Sequence, residues 1–386
     1  MTGPWLITGI GLVSTAGDAA AAVFERVLDG PQPPDAADRA RRSLPLHDFD
    51  PRRYLRRKGL QLLSRTSQLA CAASSPLSAG LAGVDGARVG VVLGTAWASL
   101  DTVVRFEREA HLEGPRFVDP ILFTETVANV PAGQMSIFNG WSAINATVAS
   151  GTSSGLDALG RAIEFLDEGR AEAIVAGGAD EINEHLLRTL ADEHLAPSAA
   201  PAPAEPGRPG APPVGSEGAC LFTIETAAGA AARGAPGIGR IRGYVSGFAD
   251  PGPAGTSVRA GWLCELAGQA GWGAGTIDLV VRSTNGRVLR DEAEASTLAA
   301  FFGGAVPPCV APKSVLGECW SASGPLGVVV ALEAMLRGIV PGCSGLGREE
   351  ASWIREPPLE RDVGRAVVLD CSETGSFSAV ALSAGE

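Results

Sequence analysis

The sequence predicts an α/β protein made of two duplicated βαβ-type halves, stacked on each other. Three observations carry this reading. Runs of β-prone residues alternate with runs whose apolar residues recur at helical spacing along most of the 386 residues. Each half holds a central apolar helix that starts from a turn of small residues, Ser154-Gly155 in the first and Ser323-Gly324 in the second. Alternation of this kind implies a largely parallel sheet with helices on its faces. The seam falls near residue 240, which gives halves of 1–240 and 241–386.

In chain order, Trp5 to Val13 reads as a strand, Ala19 to Leu28 as a helix and Gly30 to Asp35 as a proline-rich loop. The stretch from Arg39 to Arg65 gathers Arg39, Arg41, Arg42, Arg52, Arg53, Arg56, Arg57, Lys58 and Arg65. It is either a solvated face or a local docking patch for an acidic partner. Thr66 to Leu81 is an alanine-rich helix, Arg88 to Gly94 a buried strand and Leu100 to Glu109 a helix. Phe123 to Ile137 reads as one further helix, with Ala132 and Gly133 allowing close packing against a neighbour. Asn145 to Ala149 is a short buried strand, and Ser150 to Gly155 a tight turn into a helix carrying Leu156, Leu159, Ile163 and Leu166. Ala173 to Ala176 is a strand ending at Gly177-Gly178, and His185 to Glu193 a short helix. Ala196 to Pro213, rich in Pro, Ala and Gly, reads as a flexible loop. Strands follow at Val214 to Glu225 and at Ile238 to Gly247, the latter antiparallel in character, and a helix at Ser257 to Ala267. The remainder is strand (Ile277 to Arg282), helix (Asp291 to Phe302), strand (Cys309 to Ala311), helix (Gly324 to Arg337) and two closing strands, Gly364 to Asp370 and Ser376 to Leu382.

Composition narrows the function. A net charge of −12 argues against a nucleic-acid surface, which needs a basic face. No apolar run reaches the roughly 18 residues a membrane span needs. Seven scattered cysteines without a CxxC pair favour free thiols in a reducing cytoplasm over disulfides or a metal site, and no cofactor motif is present. The chemistry-bearing stretch is the turn at Ser150 to Gly155. A turn between a buried strand and a helix N-terminus is where α/β enzymes expose a nucleophile, because the unpaired amides and the helix dipole favour negative charge. The residue at its centre is Thr152.

Seven short segments, in order and at compatible spacing, resemble the β-ketoacyl synthase family over nearly the whole chain. They are Thr8-Gly9-Ile10-Gly11-Leu12-Val13-Ser14, Asn129 with Ala132-Gly133, Ser154-Gly155-Leu156-Asp157-Ala158, Ala176-Gly177-Gly178-Ala179, Gly215-Ser216-Glu217-Gly218-Ala219, Lys313-Ser314 with Gly317, and Gly338-Ile339-Val340-Pro341. The resemblance implies a thiolase-like αβαβα sandwich. It also implies a cysteine nucleophile at a helix N-terminus, two histidines that assist decarboxylation and stabilise an enolate, and a supporting lysine. Counting from the flanking motifs places Thr152 at the nucleophile position, Ser283 and Glu318 at the two histidine positions, and Lys313 at the lysine. His47, His111, His185 and His194 sit in no motif.

A threonine hydroxyl needs an adjacent base, and Glu318 paired with Lys313 would be a weak one. The expectation is therefore loss of decarboxylative condensation. The loop Ser372 to Ser378 resembles that of chain-length factors, the silent subunits that pair with an active ketosynthase in type II polyketide systems. Thr152 departs from the glutamine usual there in aromatic systems, which leaves a polyene-type pathway open. The resemblance then implies a heterodimer with an active ketosynthase, acyl carrier protein docking mainly on that partner, and a tunnel or interface lined by Gln134, Met135, Phe138, Asn145 and Phe377. A second reading is a repurposed acyltransferase, dehydratase or cyclase using Thr152, Glu318 or His194. A third is a homodimeric scaffold.

Overall fold

The computed structural model describes residues 5–30, 43–56, 58–191, 214–342 and 357–385. The proline-rich stretch 31–42, the Ala196 to Pro213 loop, His194, Arg39, Arg41, Arg42, Arg57 and Cys343 lie outside them.

Fourteen strands are described: β1 Trp5–Val13, β2 Ser43–Leu44, β3 Val89–Gly94, β4 Asn145–Val148, β5 Ala173–Asp180, β6 Gly215–Ser216, β7 Gly218–Thr226, β8 Gly239–Phe248, β9 Leu279–Val281, β10 Cys309–Val310, β11 Ile339–Val340, β12 Leu359–Glu360, β13 Arg365–Cys371 and β14 Ser376–Ala384. Ten of them form one sheet in the order β10-β9-β13-β14-β8-β1-β7-β5-β3-β4. Read from either end, it has the same plan. In the first half β4, β3 and β5 are parallel and β7 and β1 follow antiparallel. In the second half β10, β9 and β13 are parallel and β14 and β8 follow antiparallel. The halves meet at the short pairing of Trp5, Leu6 and Ile7 with Ile241, Arg240 and Gly239.

Two helices, Ser154–Asp167 and Ser323–Arg337, pack against each other and against strands of both halves. Arg65–Gly80 and Val130–Asn139 cover the outer face of the first half, and Thr256–Ala270 with Val288–Phe302 cover that of the second. The layers are therefore αβαβα, as the thiolase-like reading implies. The second of the two middle helices is apolar nearly all round. In Ser323–Arg337 the run Gly324-Pro325-Leu326-Gly327-Val328-Val329-Val330-Ala331-Leu332 is buried throughout, as a helix enclosed on both sides requires.

Three local expectations change. The stretch 123–137 is two helices, Pro120–Phe123 and Val130–Asn139. Pro131, which lacks an N–H, sits in the first turn of the second, where that donor would be unpaired anyway. β5 does not stop at its glycines but runs through them to Asp180, because the pair is needed for close approach rather than for a turn. A Cβ on Gly177 would lie 2.0 Å from the Cys220 carbonyl oxygen, and one on Gly178 2.0 Å from that of Ser321. Finally, β4 is not buried. It is the outermost strand of the sheet, partly exposed along its length, with one edge unpaired.

The same close packing brings the middle helices together. A Cβ on Gly155 would meet the Ser321 carbonyl oxygen at 1.9 Å. Because the obstacle is backbone, Gly155→Ala is expected to destabilise the chain by at least about 3 kcal/mol, read as a lowered urea midpoint. A change below about 1 kcal/mol would mean that the helices are not in van der Waals contact.

Candidate functional site

The site lies where both sets of parallel strands end. β4 runs into the 3-10 turn Gly151–Ser153, where Gly151 has φ +74°, and then into the helix Ser154–Asp167. Ser283 follows the end of β9 at Val281, β10 leads to the short helix Lys313–Leu316 and on to Glu318, and β13 ends at Cys371. Carboxyl ends of parallel strands are where α/β sheets place their ligands, because the chain turns away and leaves a crevice.

Thr152 is buried, and its Oγ1 donates to the Cys371 carbonyl oxygen at 3.2 Å. Ser283, fully buried, donates to Asp370 Oδ1 at 2.8 Å and accepts from Lys313 Nζ at 3.1 Å and from the Cys371 amide at 3.0 Å. Lys313 Nζ stands 3.1 Å from Glu318 Oε2 and 3.0 Å from Asp370 Oδ1. Glu318 also accepts from Asn285 Nδ2, the Trp320 amide and Ser323 Oγ. The four inferred positions Thr152, Ser283, Lys313 and Glu318 thus gather round Cys371 and Asp370. Sequence reasoning missed Asp370, Arg290 and Asn285. Arg290 Nη2 donates to both oxygens of Ser283, and Asn285 bridges Glu318 to Glu373. The Asp278 to Asp291 stretch held a signal for Asn285 and Arg290, since it places polar and charged side chains directly after a buried strand.

Electrostatics make this a closed network. Burial works against the Lys313 ammonium, but Asp370 and Glu318 outweigh it and hold its pKa above the usual value. Burial raises Asp370 to about 6, against the pull of Lys313. Burial likewise pushes the Cys371 thiol far up and Cys319 to about 12, so neither is a ready thiolate. Thr152 directs its hydroxyl to a carbonyl, which accepts a hydrogen bond but does not take a proton near neutrality. Among the described residues no group of three or more His, Cys, Asp or Glu is placed to hold a metal ion.

The remaining predicted positions separate. Met135 is fully buried in the core under β3, and Phe138 packs on that core. Phe377 is buried in the second half with its ring 5.6 Å from Trp262. Met135 and Phe377 thus sit on opposite halves of the chain, each among apolar neighbours. Gln134 Nε2 donates to Glu125, while its Oε1 is buried without a hydrogen-bond partner. Asn145 opens β4 and ties it to the helix Val130–Asn139 through the Ala132 carbonyl and Ser136 Oγ. Five large apolar side chains in the stretch before β4 are exposed: Phe117, Ile121, Phe123, Val127 and Ile137. Of the arginine-rich stretch, Arg65 is held internally by Glu217 at 2.8 Å and lies over the Phe49 ring, whereas Arg52, Arg53, Arg56 and Lys58 are exposed.

Comparison with known proteins agrees with this geometry. Residues 55–227 match the β-ketoacyl synthase N-terminal domain and residues 248–346 the β-ketoacyl synthase C-terminal domain. The actinorhodin polyketide β-ketoacyl synthase 2 of Streptomyces coelicolor is 29% identical over 366 residues, covering 88% of each chain. The 3-oxoacyl-[acyl-carrier-protein] synthase 2 of Vibrio harveyi is 28% identical over 257 residues, 62% of this chain and 61% of that one. Among solved structures, the ishigamide ketosynthase/chain length factor superposes with a TM-score of 0.87 at 20% identity over the whole of both chains. A type II polyketide synthase ketosynthase, solved with its acyl carrier protein, gives 0.85 at 19%, also over the whole of both chains.

Two predictions follow from the buried charges. Removing the cation in Lys313→Met leaves Glu318 and Asp370 facing each other and should cost about 3–5 kcal/mol in urea unfolding. Glu181, beside the site, accepts from the Thr66 and Asp101 amides, and burial raises its pKa to about 7. Its folded pKa exceeds the unfolded value, so it contributes stability that grows as pH falls from about 7 to about 4.5. Glu181→Gln should therefore lose ground to the wild type over that window by up to about 3 kcal/mol. A pH-independent difference in urea midpoints would contradict this.

Proposed function

The chain belongs to the β-ketoacyl synthase family, and we propose that it is a catalytically silent, chain-length-factor-like subunit that pairs with an active ketosynthase and shapes the acyl tunnel in type II polyketide biosynthesis. One observation carries the reading. Thr152 bonds to the Cys371 carbonyl, and Ser283, Glu318 and Lys313 are locked into one buried ion network. The set offers no nucleophile–base pair and no histidine donor for an enolate. Residues that act as a catalytic unit fail together when members are removed, and here every member but the lysine differs. The Thr152 hydrogen bond also weighs against a repurposed acyltransferase, dehydratase or cyclase built on Thr152 and Glu318.

A subunit without chemistry of its own works through its contacts. β4 presents an unpaired edge, and an open edge bordered by exposed apolar side chains is a surface that soluble proteins cover. Phe117, Phe123 and Ile137, in the segments that precede β4 in the chain, are 72%, 59% and 68% exposed. Thr147 Oγ1 on the strand and Gln134 Oε1 behind it are buried without a hydrogen-bond partner, an arrangement a second chain would complete. The partner's matching strand would extend the sheet there, and Ile121, Phe123 and Val127 would form this subunit's share of the tunnel wall. Carrier-protein docking falls mainly to the partner, given the net charge of −12. No helix among the described residues is long and apolar enough to cross a membrane, and the free cysteines suit a reducing cytoplasm.

Co-expression with an active type II polyketide ketosynthase should give a one-to-one complex that produces polyketide, with Thr152→Ala leaving product formation within about twofold. Phe123→Glu and Ile137→Glu together should dissociate that complex on size-exclusion chromatography while the circular dichroism spectrum is kept. A monodisperse homodimer that turns over acyl thioesters alone, and loses that activity in Thr152→Ala, would sink the reading.

A further inference from the structure

We propose that residues 100–124 form a flap that opens and closes as one unit against the rest of the chain, with Glu125 as its latch. The flap is a pair of helices, Leu100–Leu112 and Pro120–Phe123, with a turn at Gly114, where φ is +97°. The Phe106 and Phe123 ring centroids lie 5.9 Å apart, so the two helices pack on each other.

They pack on little else. Between Leu93 and Pro131 no apolar side chain is buried among the described residues, and none joins any of the three apolar clusters of the chain. Within the flap the one buried side chain is that of Thr102. The hydrogen bonds that residues 102–124 make among the described residues stay inside the segment 99–126. Holding a backbone in one conformation costs entropy at every residue, and buried apolar surface is what normally offsets it. A lone helix of 13 residues sits near the length of about 12–15 below which helices are marginal in water. Segments with so few buried apolar contacts open locally, at a free energy well below that of global unfolding.

Both ends of the flap are instead fastened by polar groups to one place, the N-terminus of the helix Arg65–Gly80. At the start, Thr66 Oγ1 donates to the Ala98 carbonyl at 2.7 Å and Ser99 Oγ to Ser64 Oγ at 2.8 Å. Glu181 joins the same two helices, accepting from the Thr66 and Asp101 amides at 3.1 Å each. At the end, buried Glu125 accepts from the Ser64 amide at 3.0 Å, from Ser67 Oγ at 2.9 Å and from Gln134 Nε2 at 3.1 Å. A carboxylate on the N-cap amide is the capping-box arrangement, here supplied by a residue 61 positions along the chain. Several groups hold the start, whereas one side chain holds the end, so the start is the pivot and Glu125 the latch. Releasing Glu125 lets the flap swing about its start, carrying Leu112, Phe117, Ile121 and Phe123 while the sheet is untouched. The device belongs to this chain alone and stands whether or not the chain pairs with a ketosynthase.

The test is hydrogen exchange followed by mass spectrometry on the full chain expressed by itself. The flap amides should exchange at one common opening rate, at least about a hundredfold faster than those of β5. Glu125→Ala should speed flap exchange at least about tenfold and leave β5 unchanged, because it removes the hydrogen bonds of one charged group. Glu125→Gln should fall between Glu125→Ala and wild type. Where Glu125→Ala does not fold, Glu125→Gln decides, and faster exchange confined to the flap is again the expected result. Flap amides as slow as those of β5, no acceleration in the variants, or equal acceleration in β5 would each overturn the proposal.

Discussion

Asp180 fixes the relation between the two halves. It is the last residue of β5 and fully buried, and no cation is among its hydrogen-bond partners. Its oxygens accept from Thr95 Oγ1, the Ala96 and Trp97 amides, and both the amide and hydroxyl of Ser321. Burial raises its pKa, so the site is held by donors rather than by charge pairing. Those donors come from the loop after β3 and from the turn Trp320–Ala322 that starts the second middle helix. Among the described residues the two non-glycine positions with positive φ, Ala98 at 51° and Trp320 at 47°, flank that grip. Strain at such positions persists only where the surroundings overdetermine the backbone. Here one carboxylate binds both strained segments.

The second half repeats the device with different chemistry. Thr95 follows β3 and donates to Asp180 at the end of β5. Ser283 follows β9 and donates to Asp370 near the end of β13. Each turn before a middle helix also reaches across to the opposite half, Ser321 to Asp180 and Thr152 to the Cys371 carbonyl. The difference is Lys313, which enters the second pair and brings Glu318 with it. A buried ion cluster of this kind adds little net stability over apolar packing, but breaking it by one member is expensive. It therefore acts as a constraint on shape, holding the ends of β9, β10 and β13 in one arrangement.

The sequence made the strands and the middle helices legible because their signals are local. The Leu156, Leu159, Ile163, Leu166 spacing needs no knowledge of what the helix packs against. The positions of Thr152, Ser283 and Glu318 followed from motif order. What escaped was set by tertiary packing. Gly177-Gly178 looked like a strand end because glycine usually breaks strands, but the pair is there to let the Cys220 and Ser321 carbonyls approach. Met135 and Phe377 are buried in different apolar clusters, a separation that no local pattern in the sequence announces. β4 reads as a buried strand because its residues are small and β-prone. Nothing local says that only one of its edges finds a partner within the chain.

That edge and the turn at Thr152 are mechanically one feature. Val148 ends β4, and two residues later Ser150 begins the contacts of the turn. Its carbonyl accepts from Ser376, its amide donates to Ser154 Oγ and its hydroxyl donates to Asp157, which also receives Tyr244 and Ser378. The turn is therefore pinned to the β13–β14 loop and to the middle helix by side-chain hydrogen bonds that need no nucleophile. A strand held at one end by such a lattice and at its start by Asn145 has little freedom to slip against β3, and register is what an edge must keep if another chain is to pair with it. Selection on the position of β4 alone would preserve the turn, its serines and its glycines, while leaving the residue at 152 free to change. That is the combination found: an intact framework around a hydroxyl that does no more than close a hydrogen bond.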